Sequence, residues 1–155
     1  QHRPEGMADQ DRQDSGQGLI AAIAMKPAPG RLFRLENRMN ARNIERFGTT
    51  RRYSDVVAHG STVYLVEVPQ SLSADIAGQT REVLASIDRL LAQAGSDKSR
   101  LLMVTIYLTD MRDYPAMNEV WDEWVPEGTA PVRACVEAKL ANAAYRVEMV
   151  VTAAR

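Results

Sequence analysis

The sequence predicts an α+β fold, a β-sheet with two helices packed on one face. Three observations carry that prediction. Ile76, Val83, Leu84, Ile87, Leu90, Leu91 and Ala94 recur at helical spacing, which marks an amphipathic helix with one buried stripe. Residues 130–137 and 146–153 alternate instead with a period of two, as half-buried strands do. Ahead of both, Leu101 to Leu108 reads Leu-Leu-Met-Val-Thr-Ile-Tyr-Leu and is apolar on both sides, so that strand needs cover on both faces. Two helices cover only one face of so small a sheet. The other face is therefore expected to pack on a further subunit, because an open apolar sheet invites aggregation.

The elements follow in order. Arg42 to Phe47 is a first strand with Ile44 as its apolar anchor. Tyr53 to His59 and Thr62 to Val68 are two strands joined through His59-Gly60-Ser61, a short loop with hairpin chemistry, and Pro69 ends the second. Ser73 is expected to cap the first helix, with Asp75 in its first turn near the positive end of the helix dipole and Gly95 as the stop. Asp113 is expected to cap a second helix with Pro115 in its first turn and Met117, Val120, Trp121 and Trp124 as the buried stripe. The turn Pro126-Glu127-Gly128 leads into the strand Ala130 to Glu137, and Arg146 to Ala153 is the last strand. There Val147, Met149 and Val151 point inward, and Arg146, Glu148 and Val150 point the other way.

Size and composition narrow the function. A chain of 155 residues fits one domain with a fair core. With 19 basic and 20 acidic residues the formal charge is −1, which argues against a nucleic-acid-binding face. One cysteine and two histidines leave no disulfide and no zinc pattern. No apolar run approaches the roughly 20 residues of a membrane span, so a soluble cytoplasmic protein without membrane partners is expected. Residues 1–38 differ in character from the rest. Gln1 to Gly18 is polar and aperiodic, Leu19 to Met25 suits a turn or two of helix, and the folded domain is expected to span 39–155.

The chemistry centres on Arg133. Alternation puts Val132, Ala134 and Val136 on one face of its strand and Arg133, Cys135 and Glu137 on the other. A guanidinium amid such a strand either meets water or faces an anion, since desolvating it alone costs several kcal/mol on the order expected for buried ions. Glu148 sits on the next strand, also opposite that strand's main apolar positions. The two form either a surface ion pair, worth at most about 1 kcal/mol, or a carboxylate-binding arginine beside a carboxylate that orients water.

These residues sit in a wider pattern. It comprises Arg52-Tyr53-Ser54-Asp55-Val56-Val57, Gln79-Thr80, Thr109-Asp110-Met111-Arg112-Asp113-Tyr114 leading to Asn118, Ala130-Pro131-Val132-Arg133-Ala134-Cys135-Val136, and Val147-Glu148. In order and spacing the chain from about Met39 onward resembles the RidA proteins (reactive intermediate deaminases, also called the YjgF family), most closely the YoaB-like branch. The resemblance implies a chorismate-mutase-like mixed sheet and a homotrimer with sites in clefts between subunits. It also implies hydrolysis of enamines and imines such as 2-aminoacrylate to a 2-keto acid and ammonia, without metal or cofactor. By position, Arg133 matches the arginine that grips the substrate carboxylate and Glu148 the glutamate that holds the attacking water. Tyr53, Asn118 and Cys135 match pocket-lining residues.

One stretch departs from the family pattern. Where a Ser-Gly-Gln is usual in the strand forming one pocket wall, this chain has Leu65-Val66-Glu67. Leu65 and Val66 are then bulkier wall residues, and an inward Glu67 would repel an anionic substrate. That favours an alternative of a different class, a non-catalytic member binding a small carboxylate. The ribonuclease reading also attached to the family lacks a basic face and a general-base histidine here.

Overall fold

The computed structural model of the protein describes residues 43–155. The expected extension at 1–38, its short helix and the domain start at Met39 lie outside the described residues. The elements run β1 (Ile44–Phe47), β2 (Val56–His59), β3 (Thr62–Glu67), α1 (Ile76–Gln93), β4 (Leu101–Leu108), α2 (Tyr114–Trp124), β5 (Val132–Glu137) and β6 (Val147–Ala154). The strands form one mixed sheet in the order β1-β2-β3-β6-β4-β5. Every neighbouring pair is antiparallel except β4 and β5, which α2 connects as a parallel crossover.

Local chemistry sets most of the boundaries. The β2–β3 hairpin turns through Gly60 and Ser61, with His59 opposite Thr62 and Gly60 at a φ of 59° that a side chain would resist. The second strand starts at Val56 rather than Tyr53, because Thr50 folds residues 50–53 into a turn. Its hydroxyl accepts from the Arg52 and Tyr53 amides at 3.1 Å, and its amide donates to the Tyr53 carbonyl at 2.7 Å. The cap of α1 is Asp75, not Ser73: its carboxylate accepts from the Gly78 amide at 2.7 Å and satisfies an otherwise free N–H. Gly95, at φ 76°, closes the helix. Its amide donates to Ala92 and that of Ser96 to Leu91, so two terminal carbonyls are satisfied at once.

Asp113 stands at the cap position of α2 but makes no capping bond. Its carboxylate instead accepts from Arg146 Nε at 2.9 Å and Nη2 at 2.6 Å, a fork that ties the start of α2 to the start of β6.

Both helices lie on the same face of the sheet. Val63 and Leu65 of β3, Val104 and Ile106 of β4, and Val147, Met149 and Val151 of β6 are buried there with Val83, Leu84, Ile87, Leu90 and Leu91 of α1. Burying each such side chain contributes about 1.5–3 kcal/mol, so this layer dominates stability. Among the described residues, no helix lies on the opposite face. Tyr64, Val66, Met103, Val132 and Val136 are exposed on it, Val132 to 71%.

A buried glutamine joins the layers. Gln79 of α1 is inaccessible to solvent, and its amide donates to the Ala144 carbonyl at 3.0 Å while accepting from the Arg146 amide at 2.8 Å. The irregular segment before β6 thus finds in one side chain the partners a ladder would have given it. Gln79→Leu keeps the size but strands both backbone groups. It should lower unfolding free energy by about 2–4 kcal/mol in urea titrations, and an unchanged midpoint would contradict this role.

Candidate functional site

Arg133 lies on β5, an edge strand, and points to the helix side of the sheet. Its Nη1 donates to Asn118 Oδ1 at 2.9 Å and its Nη2 to the Tyr114 hydroxyl at 3.4 Å. The guanidinium carbon sits 5.2 Å from the centre of the Trp121 ring, within cation–π range. Tyr114, Asn118 and Trp121 share one face of α2, being spaced by four and then three residues. No carboxylate pairs with Arg133 among the described residues. Its remaining N–H donors are free for a planar anion, the geometry an arginine fork suits.

Cys135, two residues along the same face, is partly buried. Burial pushes its thiol above the ordinary value, against a smaller pull downward from the Arg133 charge. The thiol is therefore the resting form at neutral pH, which fits a lining residue better than a nucleophile.

Glu148 stands elsewhere. Register places it opposite Tyr107 of β4, which is in turn opposite Val136 of β5. All three point to the helix-free face. Arg133 belongs to the row Val104–Val151 on the helix face. The two residues are thus not a cross-strand ion pair: β4 separates their strands and the sheet itself separates their side chains. Glu148 borders an open groove of about 390 Å³ with Tyr107, Lys139, Leu140 and Val150.

The other expected site residues divide in the same way. Asn118 and Cys135 gather with Arg133. Tyr53 is 65% exposed in the β1–β2 connection, on the far side of the sheet, roughly 19 Å or four strand spacings from β5. Leu65 is only 4% exposed and packs in the core under α1, because alternation turns it to the helix face. Val66 is exposed on the helix-free face.

Glu67 also turns toward the helices, where Ser86 and Arg89 of α1 meet it, so it does not project from the helix-free face as a wall residue would. Tyr114 and Trp121 went unrecognised as neighbours of Arg133. The signal available was their helical spacing with Asn118. No cluster of His, Cys, Asp and Glu suited to a metal is present among the described residues.

A sheet covered by two helices on one side, with an arginine held at its edge by the second helix and paired with no carboxylate among the described residues, defines the class: an α+β protein. The family model described as Endoribonuclease L-PSP matches residues 43–155, and the chain belongs to that family, the RidA/YjgF proteins. Within it the chain is YoaB-like. It is 48% identical over 111 residues to the RutC family protein YoaB of Escherichia coli K12, covering 72% of this chain and 97% of that protein. The crystal structure of a YjgF-family member from Neisseria meningitidis is 49% identical and superposes with a TM-score of 0.72, covering 74% of this chain and 97% of the other. A more distant relative, the 3-aminoacrylate deaminase RutC of Acinetobacter baylyi, is 39% identical over 75 residues, 48% of this chain and 59% of that one. No helix among the described residues is long and apolar enough to cross a membrane.

The placement of Glu67 has a consequence in solution. Burial against α1 raises its carboxyl above the ordinary 4.5, opposed by the Ser86 hydroxyl and Arg89 and reinforced by Asp55. The folded state then holds this proton more tightly than the unfolded chain, so stability falls as pH rises from 4.5 through the raised value. Glu67→Gln removes that charge. Its urea midpoint should exceed the wild type's at neutral pH and converge with it below 4.5; a wild type more stable at neutral pH would show that the charge is favourable where it lies.

Proposed function

We propose that this protein hydrolyses small enamines and imines of the 2-aminoacrylate and 2-imino acid type to 2-keto acids and ammonia. The observation that carries the reading is Arg133: a partly buried guanidinium, held by Asn118 and Tyr114, with no protein carboxylate to satisfy it among the described residues. The family includes a protein named as a 3-aminoacrylate deaminase, which supports the reaction class. In this account Arg133 grips the substrate carboxylate through a bidentate, charge-assisted pair. Glu148 holds the water that attacks the imine carbon. Addition gives a carbinolamine, whose C–N bond then breaks as ammonia leaves with a proton and the keto oxygen forms. An iminium carbon is already electrophilic, so fixing the carboxylate and aiming one water supplies most of what the step needs.

The separation of Arg133 and Glu148 bears on assembly. One chain presents them on opposite faces of its sheet, so a substrate touching both lies between two copies. The helix-free face, with Tyr64, Val66, Met103, Val132 and Val136 exposed, supplies the apolar surface for that contact. A homotrimer with a site in each cleft, in the cytoplasm and with only a small imino acid as ligand, is the arrangement we infer.

A carboxylate-binding member without catalysis would use the same arginine. A bulky, acidic wall no longer favours it, since of Leu65, Val66 and Glu67 only Val66 faces the open side of the sheet.

Release of 2-keto acid from imines generated in situ by an amino-acid oxidase tests the activity. Wild type should accelerate release. Arg133→Ala should lower kcat/KM about 10- to 150-fold while keeping the native mass, the loss expected from a charged hydrogen-bonded pair. No acceleration with any small imino acid, alongside measurable binding of a keto acid, would favour the binder.

A further inference from the structure

Of the α2 residues around Arg133, only Asn118 was expected to line its pocket, yet the guanidinium is held by more than that. The Trp121 ring underlies it at 5.2 Å. That ring is itself packed in place: it is buried and tilts against Trp124 at 5.5 Å between centres. Trp124 in turn donates from Nε1 to Asp88 of α1 at 2.9 Å. A continuous set of contacts thus runs from α1 through both tryptophans to the guanidinium face. The Tyr114 hydroxyl meets Nη2 at 3.4 Å from the first residue of α2, beside the Asp113–Arg146 fork that anchors this helix end. Neither contact neutralises the arginine. Both restrict it.

We propose that Tyr114 and Trp121 are positioning residues for Arg133. Trp121 sets the plane of the guanidinium and Tyr114 its rotation within that plane, so that the free N–H edge is already aimed when a carboxylate arrives. The inference rests on the carboxylate-binding role given above to Arg133. An unrestrained arginine loses several rotatable bonds' worth of freedom on gripping an anion; one already held loses less, and that difference appears as affinity. Because neither side chain reaches the reacting carbon in this account, their loss weakens binding and leaves the chemical step alone.

The test uses Tyr114→Phe, which keeps the ring, with Trp121→Phe and Trp121→Leu as a graded pair. Thermal melts confirm folding, and if Trp121→Leu does not fold, Tyr114→Phe decides. Tyr114→Phe should raise KM for the imino acid, and Kd for pyruvate, about three- to tenfold with kcat within about twofold. Trp121→Leu should do the same and Trp121→Phe should largely restore wild-type behaviour.

A second readout needs no activity: the guanidinium 15N–1H signals of Arg133, assigned by their loss in Arg133→Lys. These should be resolved by hindered rotation in wild type and averaged in Tyr114→Phe. Signals already averaged in wild type, or unchanged signals and KM in both variants, would overturn the proposal. A wild type that hydrolyses no imine but loses the resolved signals in Tyr114→Phe would uphold the positioning role and refute the proposed activity.

Discussion

The structure depends on one constraint: two helices bury one face of a six-stranded sheet, and among the described residues no element covers the other. The buried face is dense with branched aliphatics from β3, β4, β6 and α1, and hydrophobic burial there outweighs every polar contact in the chain. The polar contacts serve a different end. Gln79 and the Asp113–Arg146 fork fix the segment between β5 and β6 and the start of α2, places where no ladder supplies partners. They determine where α2 begins, and α2 determines where Arg133 points.

That chain of dependence connects fold to chemistry. An edge strand offers an arginine on the helix side, and the helix that crosses from β4 to β5 returns over it with an amide, a phenol and an indole. The result is a cation left unneutralised by any described carboxylate, yet held in place. Such a group is costly unless something anionic completes it. The exposed apolar side of the sheet is a second incompleteness in the same molecule, and Glu148 lies on that side. Under the proposed function, association of copies would resolve both, bringing the carboxylate of one chain toward the arginine of another.

Much of the fold was legible from periodicity. The stripe from Ile76 to Ala94, the strand Leu101–Leu108 and the Gly95 stop all stand where hydrophobic spacing and glycine chemistry put them. The helix start was misplaced because Ser73 and Asp75 both suit a cap, and only the structure shows which one reaches an amide. Asp113 occupies a cap position, but the guanidinium of Arg146, far along the chain, wins its carboxylate.

Candidate residues were legible, their relative placement was not. Alternation says that Arg133 and Glu148 each oppose their strand's apolar side chains, but on β5 those apolar positions face the open side of the sheet and on β6 they face the core. A period of two cannot tell a core from an interface, since both bury the same residues. Leu65 passed for a pocket wall because it stands where the family pattern has a wall residue, although it lies in the core.

The central claim is that one site is completed by two chains, with Arg133 from one and Glu148 from another. Its most direct test is to refold Arg133→Ala and Glu148→Gln together and assay imine hydrolysis against each variant alone. The account predicts that each is nearly inactive by itself and that the mixture recovers part of the wild-type rate, because some clefts then pair an intact arginine with an intact glutamate. A mixture no more active than its components, with subunit exchange shown by mass, would contradict a shared site.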